Sequence, residues 1–219
     1  MRRAAIAVVL ATAIASPLVA ARADPGGEPA RRADFKVELP SDKARTLADW
    51  VVASRDHQNL PFAIIDKTAA RVFVFARDGS VTGAAAALLG SAVGDDSAPG
   101  IGQRRLTAIL PHERTTPAGR YQAALGHDLD QDILWIDYDK ALSLHRVIDG
   151  KAKDRRRQRL ASPTAADNRI SYGCINVPEA FYDGVVAPAF AGTVGIVYIL
   201  PETRDLAEVF PAMRAVPQR

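Results

Sequence analysis

The stretch PFAIIDKTAARVFVFARDG, residues 61–79, sets the class of this chain. Phe62–Asp66 and Arg71–Ala76 are short runs of β-branched and aromatic residues, joined by a turn at Lys67-Thr68-Ala69. Asp78-Gly79 supplies a further turn, and the chain continues through Val81 toward Leu89. Strand character recurs downstream: Leu106–Leu110, Ile133–Tyr138, Ala141–Val147 and Val194–Leu200 are further predicted strands. Gly94–Gly102 (GDDSAPGIG) reads as a loop by composition. Upstream, Ser41 can cap a helix running to about His57, with Ala44, Leu47, Ala48 and Val51 on one apolar face. Helical turns are expected after Pro178 and around Glu202–Phe210, and there is no internal repeat. The sum is an α+β class, mainly β with a few helices, in a domain of ~160 residues, large enough for a proper core.

Composition narrows the alternatives. The 219 residues are 48% hydrophobic and 24% charged, which excludes collagen-like, coiled-coil and broadly disordered chains. A single hydrophobic segment, at the N-terminus, excludes a multi-span membrane protein. Arg2-Arg3 precedes an apolar run, Ala4 to Ala15; Ser16-Pro17 breaks it, and Ala21-Arg22-Ala23 is a small-x-small cleavage site. Residues 1–23 therefore read as a signal peptide cleaved after Ala23, with an uncleaved anchor as the alternative. The run is short for a spanning helix of ~20 residues. The 28 basic residues fall to 25 without Arg2, Arg3 and Arg22, which matches the 25 acidic ones. A neutral body has no electrostatic footprint for nucleic acid. The rest divides into a flexible Pro- and Gly-rich tether (24–40), an N-terminal helix packed on the domain (41–60), the main domain (61–201) and a C-terminal helical tail (202–219).

Export makes the lone Cys174 informative. It has no internal disulfide partner, so it is either a buried small hydrophobe or a thiol kept for reactivity. It sits in Ser171-Tyr172-Gly173-Cys174-Ile175-Asn176. A Gly directly before a nucleophile lets backbone approach substrate and frees amides for an oxyanion. A thiol also needs a base, and His57, His112, His127 and His145 all precede Cys174. That order excludes papain-like and cell-wall amidase cysteine enzymes, whose His follows the Cys. His145 is the best candidate: it ends an apolar run, with Ser143 on its own face of the predicted strand, and a strand holds an imidazole rigidly. His57 is expected to be exposed at a helix end. His112 and His127 are weaker alternatives. Residues 151–168 carry Lys151, Lys153, Arg155, Arg156, Arg157 and Arg159, which make either a solvated helical face or a lid attracting an anionic substrate.

These residues resemble the L,D-transpeptidase family of bacterial cell-wall enzymes. That family's mark is a strand-end His, an insertion, then Ser/Thr-x-Gly-Cys-hydrophobic-Asn/Arg, which stand here as His145 and Ser171–Asn176. A family turn, Thr-Pro-x-Gly before an aromatic, stands as Thr116-Pro117-Ala118-Gly119-Arg120-Tyr121. The resemblance runs from about Pro61 to Pro201. Two departures stand out: Tyr172 occupies a position that is His in many members, and the 25 residues of 146–170 make the insertion longer than usual.

The resemblance implies a β-sandwich-like catalytic domain and acyl transfer on peptidoglycan stem peptides in the periplasm or cell envelope. Cys174 would be the nucleophile and His145 the base, with Gly173, Ser171, Tyr172 and Asn176 shaping the site and its oxyanion donors. The acceptor would be a second stem amine, a protein lysine or water. No cofactor and no metal is implied, since one Cys and scattered His lack ligand spacing. A monomer with peripheral envelope association is expected. The alternatives are a sortase-like transpeptidase, disfavoured by the glycine turn before Cys174, and a non-catalytic wall-binding domain with a degenerate site.

Overall fold

The two opening runs pair as the sequence predicts. Phe62–Asp66 (β1) and Arg71–Phe75 (β2) form an antiparallel hairpin, Phe62 opposite Phe75 and Asp66 opposite Arg71. Val81–Ala86 (β3) adds to β2. The remaining strands are Leu89–Gly90 (β4), Gly119–Asp128 (β5), Gln131–Asp137 (β6), Leu142–Arg146 (β7), Arg169–Ser171 (β8), Ile175–Val177 (β9) and Val194–Ile199 (β10). This computed structural model describes residues 31–128 and 130–215, so the expected export signal lies outside the described residues. Eight strands form one sheet in the order β3-β2-β1-β10-β5-β6-β7-β9, and β4 pairs with β8 in a small second one. Leu88, just past β3, exchanges backbone hydrogen bonds of 2.8 and 3.0 Å with Asn176 in β9. The large sheet has therefore curled until the chain leaving one edge meets the other edge.

Alternation along β1, β2 and β10 feeds two cores. Ala63, Ile65, Val72, Val74, Val197 and Ile199 point inside the curl, where Phe181, Val186 and Phe190 of the helical stretch after Pro178 join them. Phe62, Ile64, Phe73, Phe75, Ile196 and Tyr198 point the other way, onto the helix Asp42–Ser54 (α1). Both faces are covered, which is why these strands carry apolar residues at nearly every position. Ser41 caps α1 as predicted, its hydroxyl accepting from the Ala44 N–H at 3.1 Å.

Four expectations are corrected. The tether is not loose over its described part: Ala33 and Phe35 are buried in the outer core, and Phe35 meets the rings of Phe73 and Phe75 at 5.4 and 5.1 Å. Burying one such side chain is worth roughly 1.5–3 kcal/mol, enough to pin a short segment. His57 is buried rather than exposed, because α1 stops at Ser54 when Arg55 turns left-handed (φ 57°). The chain then folds back, and the imidazole bonds to the carbonyls of Val51 and Arg77 at 3.3 and 3.1 Å. Leu106–Leu110 is no strand. Leu106–Ala108 is a 3₁₀ turn, a form that puts residues three apart on one face. Finally, the longest strand, β5, was not among the predicted ones. Ala123, Ala124 and Gly126 give it little strand propensity, and it exists because β10 and β6 pair with it on either side.

The tail also packs. Leu206–Val209 is helical, and Phe210 is buried with its ring 6.1 Å from Tyr198.

Candidate active site

The hexapeptide Ser171–Asn176 joins β8 to β9 and clamps itself. Gly173 has φ +140°, and a Cβ there would lie 2.8 Å from the Thr115 carbonyl, so only glycine fits. Ser171 Oγ donates to the Cys174 carbonyl at 2.7 Å and accepts from the Gly173 N–H at 3.1 Å. Asn176 Nδ2 donates to the same Cys174 carbonyl at 3.3 Å. Ser171 and Asn176 therefore hold the turn from both sides. The Gly173 N–H is spent on Ser171, which removes it from the expected set of oxyanion donors. Among the described residues, the Tyr172 and Cys174 N–H groups make no hydrogen bond.

Cys174 is half-buried and stands level with β7, whose parallel register with β9 sets Leu144 beside Ile175 and His145 beside Asn176. Ser143 Oγ donates to Cys174 Sγ at 3.5 Å, and Sγ donates to the Ala141 carbonyl at 3.3 Å.

His145 lies one pleat repeat beyond Ser143 on the same face, roughly 6.5–7 Å along the strand. It is buried, and Nδ1 lies 2.7 Å from the Arg146 carbonyl. A carbonyl can only accept, so the proton sits on Nδ1 and Nε2 keeps its lone pair. Burial pushes its pKa below that of a free imidazole; the Arg146 carbonyl opposes this, nearby Arg156 adds to it, and Asp128 opposes it. The ring is neutral at neutral pH. That suits a proton acceptor and argues against a resting imidazolium paired with thiolate. The structure thus brings Cys174, Ser143 and His145 onto one face. His112 and His127 are exposed elsewhere, and His57 belongs to the outer core.

The basic run separates into parts. Its one α-helix is short, Arg156–Leu160 (α2). Arg157 pairs with Asp149 and Glu179 at 2.7 and 2.8 Å, and Arg155 is exposed. Arg156 turns inward: Nη1 donates to Asn176 Oδ1 at 3.0 Å, beside His145, and its buried Nε makes no hydrogen bond but lies 3.9 Å from Asp154 Oδ2.

In front of Cys174 lies a cavity of about 60 Å³ lined by Ile101, Leu106, Ile109, Arg104, Lys140 and Tyr172 among others. Leu106 and Ile109, three apart, share the face turned to it. Tyr172 lies under the Arg114 guanidinium at 4.2 Å, and Arg114 in turn donates to the Ile109 carbonyl at 3.2 Å. Tyr172 is thus a stacked platform that ties down the segment covering the cavity. Among the described residues no cluster of His, Cys, Asp or Glu could hold a metal ion, and no helix is long and apolar enough to cross a membrane.

Cys174 thus follows a glycine turn at the start of β9, beside the strand that carries His145. The chain resembles L,D-transpeptidase catalytic domains. Among solved structures it is similar to Pgp2, the helical cell shape determining protein of Campylobacter jejuni, at 14% identity and a TM-score of 0.45, covering 66% of this chain and 49% of that one. The catalytic domain of the E. faecium L,D-transpeptidase is similar at 15% identity and a TM-score of 0.39, covering 64% and 96%. The L,D-transpeptidase LdtMt1, solved in complex with imipenem, is similar at 14% identity and a TM-score of 0.36, covering 64% and 58%. This chain thus spans about half the length of the Pgp2 chain. No protein-family model matches the sequence, and no curated protein does.

Sequence reasoning assigned no role to Lys67, Thr116 or Ser143, and it placed Arg156 with the other basic residues on a solvated helical face or a lid. Signals existed for Ser143, which shares His145's strand face, and for Thr116, which opens the Thr-Pro-x-Gly turn. The others are distant in sequence and meet the hexapeptide only through the fold.

Proposed function

We propose that this protein is an exported cysteine acyltransferase of the L,D-transpeptidase type, acting on peptidoglycan stem peptides. Cys174 loses its proton to His145 Nε2 as Sγ attacks the carbonyl of the third stem residue. The tetrahedral oxyanion forms against backbone N–H groups of the hexapeptide. The C–N bond to the terminal D-alanine then breaks, and His145 returns the proton to the departing amine, leaving a thioester. An amine acceptor attacks that thioester, the Sγ–C bond breaks, and an amide forms; water in its place gives a carboxypeptidase. Sγ and His145 share no hydrogen bond here, and catalytic hydrogen bonds of this kind are often long before substrate binds.

The observation that supports this reading best is the self-clamped glycine turn, which leaves the Cys174 N–H without a partner next to a half-buried thiol at a cavity. Incubation with tetrapeptide muropeptides, read by mass spectrometry, tests it. Loss of D-alanine with cross-linked or hydrolysed product is expected from the wild type and not from Cys174→Ala. No product and no imipenem adduct on Cys174 would instead leave a wall-binding domain. Export is tested by intact mass of protein taken from the envelope, where a chain beginning at Asp24 is expected.

A further inference from the structure

Thr116 is fully buried, and its hydroxyl is used twice. It donates to the Gly173 carbonyl at 2.7 Å and accepts from the Gly90 N–H at 2.9 Å. Its own backbone carbonyl accepts from Lys67 Nζ at 3.0 Å. Lys67 is the turn residue between β1 and β2, and it is buried with Asp95 at 2.7 Å; Nζ also reaches the Gly94 carbonyl at 2.7 Å. Asp95 is held in turn by the N–H groups of Glu202, Thr203 and Arg204, each at 2.9 Å, and by the Thr203 hydroxyl at 2.5 Å. A buried ammonium with its donors so engaged is a fixed point of the fold. The line Asp95–Lys67–Thr116–Gly173 thus connects three distant segments to the turn that carries the thiol.

The peptide plane gives this line a chemical consequence. Gly173 C=O and Cys174 N–H belong to one trans peptide, so they point in opposite directions. Holding the carbonyl toward Thr116, in the protein interior, aims the Cys174 N–H away from it, toward the open side. The Gly173 N–H is already bonded to Ser171, which leaves the Cys174 amide as the donor next to Sγ. We propose that Thr116, fixed by Lys67, is a positioning residue that aims the Cys174 N–H as the oxyanion donor of the reaction. This rests on the acyl-transfer reading above.

Two reactions of the same thiol separate aiming from thiol chemistry. Alkylation by iodoacetamide forms an Sγ–C bond and expels iodide, so it needs thiolate but no oxyanion donor. Acylation by imipenem opens the lactam C–N bond through a tetrahedral oxyanion and needs both. Thr116→Val should keep the iodoacetamide rate and its pH profile within about threefold of wild type. Its imipenem acylation should fall on the order of 10²-fold, the scale of losing one oxyanion donor. Thr116→Ser, which restores the hydroxyl, should regain acylation. Should the Val protein show no thermal transition, Thr116→Ala and Thr116→Ser carry the same comparison, and the Ala-to-Ser difference in acylation at equal alkylation is the reading. Equal loss in both reactions, or no loss in acylation, overturns the positioning role while leaving the acyltransferase reading intact. Wild-type protein that alkylates but never acylates overturns both.

Discussion

At the residue scale, the thiol's neighbours decide its reactivity. Ser143 donates to Sγ and His145 stands one repeat away, so the two side chains act on different steps. Ser143→Ala removes the hydroxyl that holds Sγ in place and should lower turnover on tetrapeptide muropeptides, read by mass spectrometry. His145→Gln should lower turnover by at least the ~10²–10⁴-fold associated with lost proton transfer. Glutamine is the better replacement because His145 is buried, and His145→Ala would also open a void. Because burial lowers the His145 pKa, the acid limb of the wild-type rate profile should lie below the ~6.5 of a free imidazole. A limb at or above that value would point to a different base.

At the element scale, the basic segment between β7 and β8 is no uniform rim. Arg157 is an exposed pair-former, Arg155 is free to meet solvent, and Arg156 braces Asn176 next to His145. Substituting all three by Gln would mix steering with site geometry. Arg155→Gln should change activity on polymeric wall only at low salt, since exposed charges act through encounter and are screened. Arg156→Gln should lower turnover on a small donor at every salt level, because it loosens the Asn176 clamp on the Cys174 carbonyl. Salt series on both substrates check this, and identical salt responses of the two variants would contradict it. The segment over the cavity is likewise set by its surroundings: Leu106–Leu110 has strand-like composition, but its backbone closes local 3₁₀ hydrogen bonds and it covers the cavity beside Cys174.

At the scale of the whole molecule, two buried groups contribute to the acid tolerance. Burial raises the Asp95 pKa, but its bonds from Lys67, Thr203 and the backbone N–H groups of Glu202 and Thr203 more than reverse this and hold it far below the usual carboxylate range. His145 is likewise lowered. Both groups therefore contribute stability that is complete above their unfolded values and is lost as pH falls toward the folded ones. Thermal midpoints should decline in two stages, from about pH 6.5 and again from about pH 4. His145→Gln should abolish the first stage. Asp95→Asn should shrink the second and lower the midpoint at neutral pH, because Lys67 then keeps only the Glu202 carboxylate, 3.5 Å away, as its charged partner. A midpoint flat from pH 7 to pH 3 would refute this. The division between sequence and fold follows from the range of the interactions. Local chemistry was legible in order: β1 and β2 from their apolar runs, the Ser41 cap from its hydroxyl, the Cys174 turn from its glycine, and His145 from its place on a predicted strand. Each depends on residues within a few positions. What only the tertiary structure decided depends on partners far along the chain. β5 is a strand because two neighbours supply its ladder, Phe35 is core because β2 offers a face, and His57 is buried because the chain after α1 doubles back. Thr116 faces Gly173 because a lysine 49 positions before it is locked to an aspartate. A sequence displays residue types and spacings, whereas the direction of one peptide plane is fixed by every element that packs around it.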